Sequence, residues 1–425
     1  MTSSVKAIGA ESRSYPRLLL VTGYPPTTVI GGGIILRKLL DDFTNDRLKV
    51  ISNANVIEAL RGRGDHGQLL PVPHFGVRAF RIKVPGIRRI GRALNVLKIA
   101  TVARLALKQL VPGSSILAVP WGGELGSELF VGAYIAHVIS GAPLIVYEMD
   151  EWRYSTRSAG ISAIALERVF HRRILRAARS VWTISEAMAD LIWARYEIKA
   201  RVLPNLVAAE TVTAVGSGSR VNLEKFQLVF TGAVYGAQAD AIRNVLNVIR
   251  SSLSNVSLYI YTHQSAEDLA REGIVGRSVT IKPAVAPENL SSVFAQADAL
   301  LLPLSFDEEQ RGIVMTSLPT KTADYLISGV PILVHAPAYS SVVREAKQGQ
   351  WAAVVEDASV ESLNQALERL STDIAWRRQL VLNALQTAKR KHDLKQRRAE
   401  FIRAIADTSA TVHSNNGAGF KNSIS

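Results

Sequence analysis

Short apolar runs alternate with longer amphipathic stretches along most of the 425-residue chain. Apolar runs bounded by turn residues indicate buried strands, whereas apolar positions at helical spacing indicate helices. In the first half, the strands predicted in this way are 17–23, 49–52, 115–119, 144–147 and 180–183. In the second half, they are 228–232, 257–261, 279–281, 299–303 and 332–334. Because helical stretches separate the strands in both halves, the pattern predicts an α/β protein with two parallel sheets.

The stretch 207–224 is rich in glycine, serine, threonine and alanine, which is typical of a linker between domains. We therefore predict an N-terminal Rossmann-like domain over 16–206 and a C-terminal one over 225–388. We also predict a final helix over 389–407 that packs back on the N-terminal domain. The polar tails 1–15 and 408–425 are predicted to be disordered. Parallel sheets bind ligands at the carboxyl ends of their strands, so two facing domains would place a site in the cleft between them.

The composition excludes several kinds of site. The chain contains no cysteine, which rules out disulfides, thiolate metal sites and cysteine nucleophiles. The uncharged stretch from Leu129 to Tyr147 is nearly long enough to span a bilayer, but the turn residues 140–143 interrupt it. We therefore predict a buried helix followed by a buried strand there. No histidine has the spacing of a metal ligand, so we expect no metal site.

The formal net charge of +14 favours anionic partners. Between Asp65 and Glu124 the chain has basic residues but no acidic one. The helical stretch 91–110 within this interval has an apolar and a basic face, which is typical of docking to an anionic membrane surface. An ordinary solvated face has the same pattern, so both interpretations stay open. No nucleic-acid-binding motif accompanies the basic residues, and we expect no nucleic-acid partner.

The segment from Ser317 to Val334 carries the most specific chemistry of the chain. Pro319 and Thr320 lead into a short apolar helix that begins near Lys321, and Asp324 follows one turn later. Free N–H groups and the helix dipole favour an anion at a helix start, and the Lys321 ammonium adds a full positive charge. A carboxylate one turn away can accept hydrogen bonds from sugar hydroxyls. This arrangement suits a ligand that contains a diphosphate and a ribose.

Other polar and glycine residues follow predicted strands of the first half. The glycine run Gly31, Gly32 and Gly33 precedes a predicted helix over 34–43, and its backbone could approach a phosphate or a sugar closely. Trp121 follows the strand 115–119, and the acidic group Glu148, Asp150 and Glu151 follows the strand 144–147. We expect one of these carboxylates to line the binding site for a second substrate.

Several motifs in a consistent order resemble the GT-B-fold glycosyltransferases, specifically the retaining family 4 group. They are the glycine loop, the segments 178–185 and 202–205, Phe230-Thr231-Gly232, the strand 297–303 and the segment 317–334. The resemblance covers roughly residues 17–405 and implies two facing Rossmann-like domains with a cleft between them. It implies transfer of a sugar from a nucleotide-sugar donor to a polysaccharide or lipid-linked saccharide acceptor, with no cofactor and no metal.

The resemblance also implies roles for individual residues. The donor-binding group is Gly31, Gly32, Gly33, Gly232, Pro319, Thr320, Lys321 and Asp324. The acceptor-binding group is Glu148, Asp150 and Trp121. Lys321 and Asp150 are the predicted catalytic residues, the first facing the leaving diphosphate and the second orienting the acceptor. Such an enzyme is expected in the cytoplasm, peripheral on the inner face of the cell membrane.

The chain departs from the family pattern at two places. Thr316 stands where the family usually has a first glutamate, and no basic pair follows Gly232. A nucleotide-sugar epimerase of the same fold and a non-catalytic nucleotide-sugar-binding protein therefore remain alternatives to a glycosyltransferase.

Overall fold

The computed structural model describes residues 15–29, 31–62, 66–72, 85–121, 126–155, 161–208, 225–253 and 255–417. The chain divides into two compact units. The first unit contains residues up to Leu203 together with the chain from Lys395, and the second contains Pro204 to Leu394. The boundary thus lies just before the predicted linker 207–224, most of which falls outside the described residues.

The first unit is built on a parallel sheet of seven strands in the order β3-β2-β1-β4-β5-β6-β7. The strands are β1 Arg17–Thr22, β2 Leu48–Asn53, β3 Gln68–Val72, β4 Ser114–Val119, β5 Leu144–Glu148, β6 Ser180–Thr183 and β7 Arg201–Val202. β1, β4 and β5 are almost entirely buried, as expected for a sheet that helices cover on both faces.

The helices of the first unit connect these strands. They are α1 Gly31–Leu40, α2 Ala54–Leu60, α3 Pro85–Gln109, α4 Gly126–Ser140, α5 Trp152–Ser155, α6 Ile161–Ala177 and α7 Glu186–Tyr196. α7 begins where the sequence predicts, because the Ser185 hydroxyl accepts a hydrogen bond from the Met188 amide and caps the helix. The uncharged stretch that ends at Tyr147 consists of most of α4 followed by β5, as predicted. β5 is buried, whereas α4 is mostly buried up to Ala136 and exposed at Val138 and Ile139. None of the described helices has the length and apolarity that spanning a membrane requires.

The second unit contains a parallel sheet of six strands in the order β10-β9-β8-β11-β12-β13. The strands are β8 Phe226–Thr231, β9 Val256–Thr262, β10 Val279–Pro283, β11 Ala299–Pro303, β12 Ile332–His335 and β13 Ala353–Val355. The helices are α8 Ala239–Ser252, α9 Ala266–Arg271, α10 Leu290–Phe294, α11 Arg311–Thr316, α12 Lys321–Leu326, α13 Ser341–Gly349, α14 Val360–Thr372 and α15 Ile374–Thr387. Its core is formed by apolar side chains of β8, β9, α8 and α14.

The last helix, α16, spans Leu394–Gly417, and from Lys395 onward it belongs to the first unit. The Arg398 side chain donates to the Lys38 carbonyl and forms an ion pair with Asp42 at the end of α1. Phe401 is fully buried against the ring of Trp182 on β6. The described helix continues beyond residue 407, where the sequence predicts a disordered tail.

The strand order defines where a ligand can bind in each unit. In both sheets the chain reverses the direction of strand addition between the first and fourth strands, that is, between β1 and β4 and between β8 and β11. Loops that leave the carboxyl ends of such a strand pair diverge and open a crevice. The candidate residues after β1, β4 and β8 follow strands of these pairs, and those at the end of β5 lie beside β4.

Candidate functional site

The second unit brings Lys321 directly to the carboxyl end of β8. The Lys321 Nζ lies 3.7 Å from the ring centroid of Phe230. It also lies 3.2 Å from the position that a Cβ on Gly232 would occupy. The structure thus places together two residues that the sequence assigns separately to the donor site. Among the described residues, Lys321 forms no hydrogen bond or ion pair, so an anionic ligand would meet no competing partner at this amine.

The surroundings of Lys321 favour its neutral form. The side chain is partly buried and rests on an aromatic ring. Burial lowers the pKa of Lys321 from its ordinary value to about 7. An anionic ligand beside the amine would favour the protonated form, because the Coulomb attraction to the ligand would offset part of the lost hydration. The amine is therefore expected to gain a proton when an anion binds.

The helix that carries Lys321 is anchored to β8 by a buried tyrosine. The Tyr325 hydroxyl accepts a hydrogen bond from the Thr231 amide at 3.0 Å and lies 3.1 Å from the Thr231 hydroxyl. Tyr325 is fully buried, so this contact fixes α12 against the end of β8. Asp324 lies on the same helix, is partly exposed and forms other interactions within the protein. α12 therefore presents Lys321 and Asp324 from a rigid support.

Side chains fix the loops that follow β8 and β11. Gln264 accepts a hydrogen bond from the Val234 amide at 2.6 Å and donates to the Val234 carbonyl at 2.8 Å. The Phe306 amide, in the loop after β11, donates to Asp240 at 2.7 Å. These bonds fix the two loops that flank the strand pair where the topology predicts a crevice.

Position 232 requires glycine for its backbone conformation and for the space beside it. Its φ is +116°, outside the range that residues with a side chain adopt easily. We expect Gly232→Ala to lower the stability of the second unit by about 1–3 kcal/mol and to weaken nucleotide-sugar binding, because a methyl group would displace the Lys321 amine. Thermal unfolding and titration calorimetry measure the two effects.

Gly113→Ala is the matched control for this substitution. Gly113 also has a positive φ, +79°, but a Cβ there would meet no atom within 4 Å. It should lower stability without changing nucleotide-sugar affinity. Equal affinities for the two alanine variants would contradict the steric argument.

The glycine run of the first unit is part of a helix and not of a loop before it. α1 begins at Gly31, so Gly31, Gly32 and Gly33 form its first turn. A Cβ on Gly33 would lie 2.7 Å from the Pro25 carbonyl oxygen, because the loop after β1 folds over the helix start. Packing of this loop therefore requires Gly33 independently of any ligand. Gly31 and Gly32 remain candidates for ligand contact.

Aromatic and sulfur-containing side chains surround the start of α1. A Cβ on Gly32 would lie 3.6 Å from the Tyr24 ring and 3.7 Å from Cε of Met149. The Tyr24 ring packs on Trp121 with a centroid distance of 3.9 Å. Asp150 follows Met149 and its side chain is exposed. The structure therefore brings the loops after β1, β4 and β5 together, with Asp150 and the partly exposed Trp121 as accessible residues.

Glu148 is not accessible to an acceptor, which differs from its predicted role. Its side chain is fully buried, and its Oε1 lies 2.5 Å from His171 Nε2. A second carboxylate, Glu167, lies 3.5 Å from His171 Nδ1, and the Tyr196 hydroxyl lies 3.1 Å from the same nitrogen. Glu151 is also buried and pairs with Arg195. Of the three acidic residues after β5, only Asp150 faces solvent.

The two departures from the family pattern have structural counterparts. Thr316 is buried at the end of α11, and its hydroxyl donates to the Gly312 carbonyl at 3.4 Å. Arg243, a nearby basic residue in sequence after Gly232, donates to the Glu272 carbonyl at 2.7 Å. In the described part of the chain, Lys321 is the basic residue whose amine lies beside Gly232. No cluster of three potential metal ligands occurs among the described residues.

Sequence reasoning missed the residue that holds the loop before Lys321. Asn205 is buried, and its side-chain amide donates to the Leu318 and Pro319 carbonyls at 2.9 and 2.8 Å. The Pro319 carbonyl also accepts from the Thr322 amide at 2.9 Å. The motif that contains Asn205 was visible in the sequence, but its partners lie more than a hundred residues away.

Comparison with known proteins finds a family match for part of the chain. Residues 225–373, which contain Gly232, Lys321 and Asp324, match the family described as glycosyl transferases group 1. No curated protein sequence matches the chain significantly.

Solved structures resemble nearly the whole chain. A trehalose 6-phosphate synthase from Burkholderia multivorans has a TM-score of 0.62 at 12% identity, covering 96% of this chain and 100% of that one. Sucrose-phosphate synthase from Thermosynechococcus elongatus has a TM-score of 0.61 at 12% identity, covering 95% and 99%. Anabaena HepE in complex with UDP and glucose has a TM-score of 0.60 at 14% identity, covering 92% and 99%. The chain therefore has the two-domain Rossmann-like GT-B fold, and its second unit carries a segment similar to glycosyl transferases group 1.

Proposed function

We propose that this protein is a retaining glycosyltransferase that uses a nucleotide-sugar donor. The observation that carries the proposal is the Lys321 amine beside Gly232 at the carboxyl end of β8. This position is the topological switch point of the sheet, where α/β proteins bind nucleotides. It also lies within the segment that matches glycosyl transferases group 1. A free ammonium against a glycine backbone suits the diphosphate of a nucleotide sugar.

Lys321 would act on the leaving group. When the bond between the sugar and the diphosphate breaks, negative charge develops on the phosphate oxygen that departs. An ammonium placed there stabilises the transition state more than the bound donor, and such a contact raises the rate of reaction. Asp324, on the same helix, would accept hydrogen bonds from the ribose hydroxyls. Gly232, Pro319 and Thr320 complete the donor-binding backbone of the second unit.

Retention of configuration follows if the acceptor attacks from the face that the diphosphate leaves. The acceptor hydroxyl forms the new bond to the anomeric carbon, and its proton passes to the departing phosphate oxygen. No separate protein base is needed for this transfer. Asp150 is exposed after β5 and would orient the acceptor, with Trp121 offering an apolar ring to a sugar face. We propose a polysaccharide or lipid-linked saccharide as the acceptor, and a reaction without metal or cofactor.

The basic character of the chain supports an anionic acceptor or membrane surface. The net charge is +14, and Arg104 and Lys108 on α3 are exposed. We therefore propose that the enzyme works in the cytoplasm, peripheral on the inner face of the membrane, where lipid-linked saccharides would be available. Binding to vesicles with and without anionic lipid tests this part of the proposal independently of transfer.

A panel of nucleotide sugars tests the donor assignment. The ligand that binds only the folded state raises the midpoint of thermal unfolding, so the panel identifies the donor. The purified protein is then incubated with that donor alone and with saccharide acceptors, and NMR follows the anomeric protons. Transfer with retained configuration supports the proposal. Conversion of the free donor into an epimer identifies an epimerase and overturns it.

A non-catalytic nucleotide-sugar-binding protein is the second candidate. Thr316 favours this candidate, because a buried threonine offers no carboxylate to the sugar hydroxyls. This candidate predicts thermal stabilisation by a nucleotide sugar without transfer or epimerisation. Detection of any product that depends on Lys321 would exclude it.

A further inference from the structure

The turn that precedes Lys321 is held by the buried side-chain amide of Asn205, a residue distant in sequence. Asn205 is 1% exposed and lies two residues after the boundary between the units. Its Nδ2 donates to the Leu318 and Pro319 carbonyls at 2.9 and 2.8 Å. α12 begins at Lys321, immediately after this turn. Asn205 therefore controls the backbone that delivers the Lys321 side chain.

The orientation of this amide is fixed by its partners. Both carbonyls are acceptors, so only the NH₂ group of Asn205 can face them. Its Oδ1 has no hydrogen-bond partner among the described residues, and this buried, unpaired oxygen is an energetic cost. The cost is offset by two bonds that no other side chain of this size could make. An aspartate at this position would direct a carboxylate at two carbonyl oxygens.

The backbone of Asn205 is itself held in place by hydrogen bonds within the second unit. Its carbonyl oxygen lies 2.8 Å from His392 Nδ1, and His392 Nε2 lies 2.9 Å from Glu345 on α13. Two residues later, the Val207 amide donates to the His392 carbonyl at 2.9 Å. His392 is fully buried. The amide of Asn205 thus projects from a fixed support and not from a free loop.

We propose that Asn205 is a positioning residue that holds the Leu318–Pro319 turn so that the Lys321 amine lies over Gly232. Asn205 needs no contact with the donor for this role, because it acts through the turn and the start of α12. The inference rests on the proposed function only where it assigns the positioned amine to a diphosphate. The placement of the amine itself can be tested without any ligand.

The first experiment measures Lys321 reactivity in the ligand-free protein. Limited acetylation between pH 6 and 10, quantified by mass spectrometry, reports the fraction of each lysine that is neutral. In the wild type, Lys321 should react already near pH 7. In Asn205→Ala, the released turn exposes the amine to water, so its reactive range should shift upward by at least one pH unit. An unchanged Lys321 profile in Asn205→Ala overturns the proposal.

The second experiment measures UDP-glucose affinity by titration calorimetry. Loss of two buried hydrogen bonds predicts a dissociation constant about tenfold higher for Asn205→Ala than for the wild type. For Asn205→Asp, the dissociation constant should rise further. In a Lys321→Ala background, Asn205→Ala should change the affinity less than about twofold, because the amine it positions is absent. Additive effects of the two substitutions would show that Asn205 does not act through Lys321.

Asn383→Ala is the matched control, since it removes an amide-to-carbonyl bond to Gln350 elsewhere in the same unit. It should leave Lys321 reactivity and affinity as in the wild type. Asn205→Ser, which removes the amide but keeps a small polar side chain, replaces Asn205→Ala if the latter fails to fold. Failure of UDP-glucose and the other nucleotide sugars to bind the wild type would overturn the proposed function, whereas the acetylation profile decides on Asn205 in either case.

Discussion

Lys321→Ala is expected to lower kcat/KM for sugar transfer by about a hundredfold to a thousandfold, the usual effect of losing one preorganised charge that faces a developing anion. The Lys321 amine contacts Gly232 and has no competing partner among the described residues, so no other cation is placed to replace it. Because the contact strengthens as the diphosphate leaves, kcat should fall more than donor affinity. Initial rates over a range of donor concentrations separate the two effects.

Lys282→Ala is the control for the loss of one positive charge, because Lys282 is an exposed lysine on β10 of the same unit. It should keep wild-type kinetics. Full activity of Lys321→Ala would remove Lys321 from the mechanism. A fall in donor affinity with unchanged kcat would limit its role to ground-state binding.

The pKa of Lys321 determines how donor affinity should depend on pH. With a pKa of about 7 in the free protein, the amine is protonated below pH 7 and loses its charge above it. Donor binding favours the charged form and raises this pKa. The affinity for a nucleotide sugar, whose diphosphate does not titrate in this range, should therefore be highest below pH 7 and fall by up to about tenfold per pH unit above it. Calorimetry should show this slope in the wild type and its absence in Lys321→Ala.

The fold was predictable because its strands are locally encoded. β6 and β11 begin and end where the apolar runs do, and other predicted strands differ from the structure by a few residues at their ends. β3 escaped prediction because it lies at the sheet edge and is only partly buried, with polar Gln68 at its start. β13 has three residues, too few for any periodicity to appear. Edge and very short strands depend on pairing with a neighbour, which the sequence does not show.

The candidate site was predictable in part, because Lys321 and Gly232 each carry a local signal. Their proximity joins residues 89 positions apart and depends on the strand order. Glu148 shows the opposite outcome, since its position at a strand end suggested exposure. The side chain instead points into the unit and meets His171, which is 23 residues away on α6. The packing of α6 and α7 on the sheet decides which of the neighbouring carboxylates are buried, because His171 meets Glu148 and Arg195 meets Glu151.

The Glu148–His171 pair is the basis of the second prediction with a large expected effect. His171 lies between the carboxylates of Glu148 and Glu167, and all three side chains are buried. Burial alone would lower the pKa of His171, but the two carboxylates outweigh it and raise this pKa to about 9. His171 is therefore charged at neutral pH and compensates buried negative charge. Removing it leaves carboxylates without a counter-charge in the interior.

His171→Gln is expected to lower the free energy of unfolding of the first unit by about 3–5 kcal/mol at pH 7, the usual cost of breaking a buried ion pair from one side. His137→Gln is the control, because His137 is a partly exposed histidine whose Nδ1 faces the Ala142 carbonyl. His137→Gln should lower the free energy of unfolding far less. The double variant Glu148→Gln/His171→Gln should recover part of the loss, since it removes one of the uncompensated charges. Urea denaturation measures each variant.

The pH dependence distinguishes this charge effect from a simple packing defect. The folded-state pKa of His171 is raised above its unfolded value of about 6.5, so its stabilisation is fully present below that pH and is lost as the pH rises through about 9. The wild type should therefore lose on the order of 3 kcal/mol between pH 6.5 and 9 from this group. His171→Gln should lack this loss, so the two stability curves should converge at high pH. A gap that stays constant from pH 6.5 to 9 would show that His171 is neutral and that the variant is destabilised by packing alone.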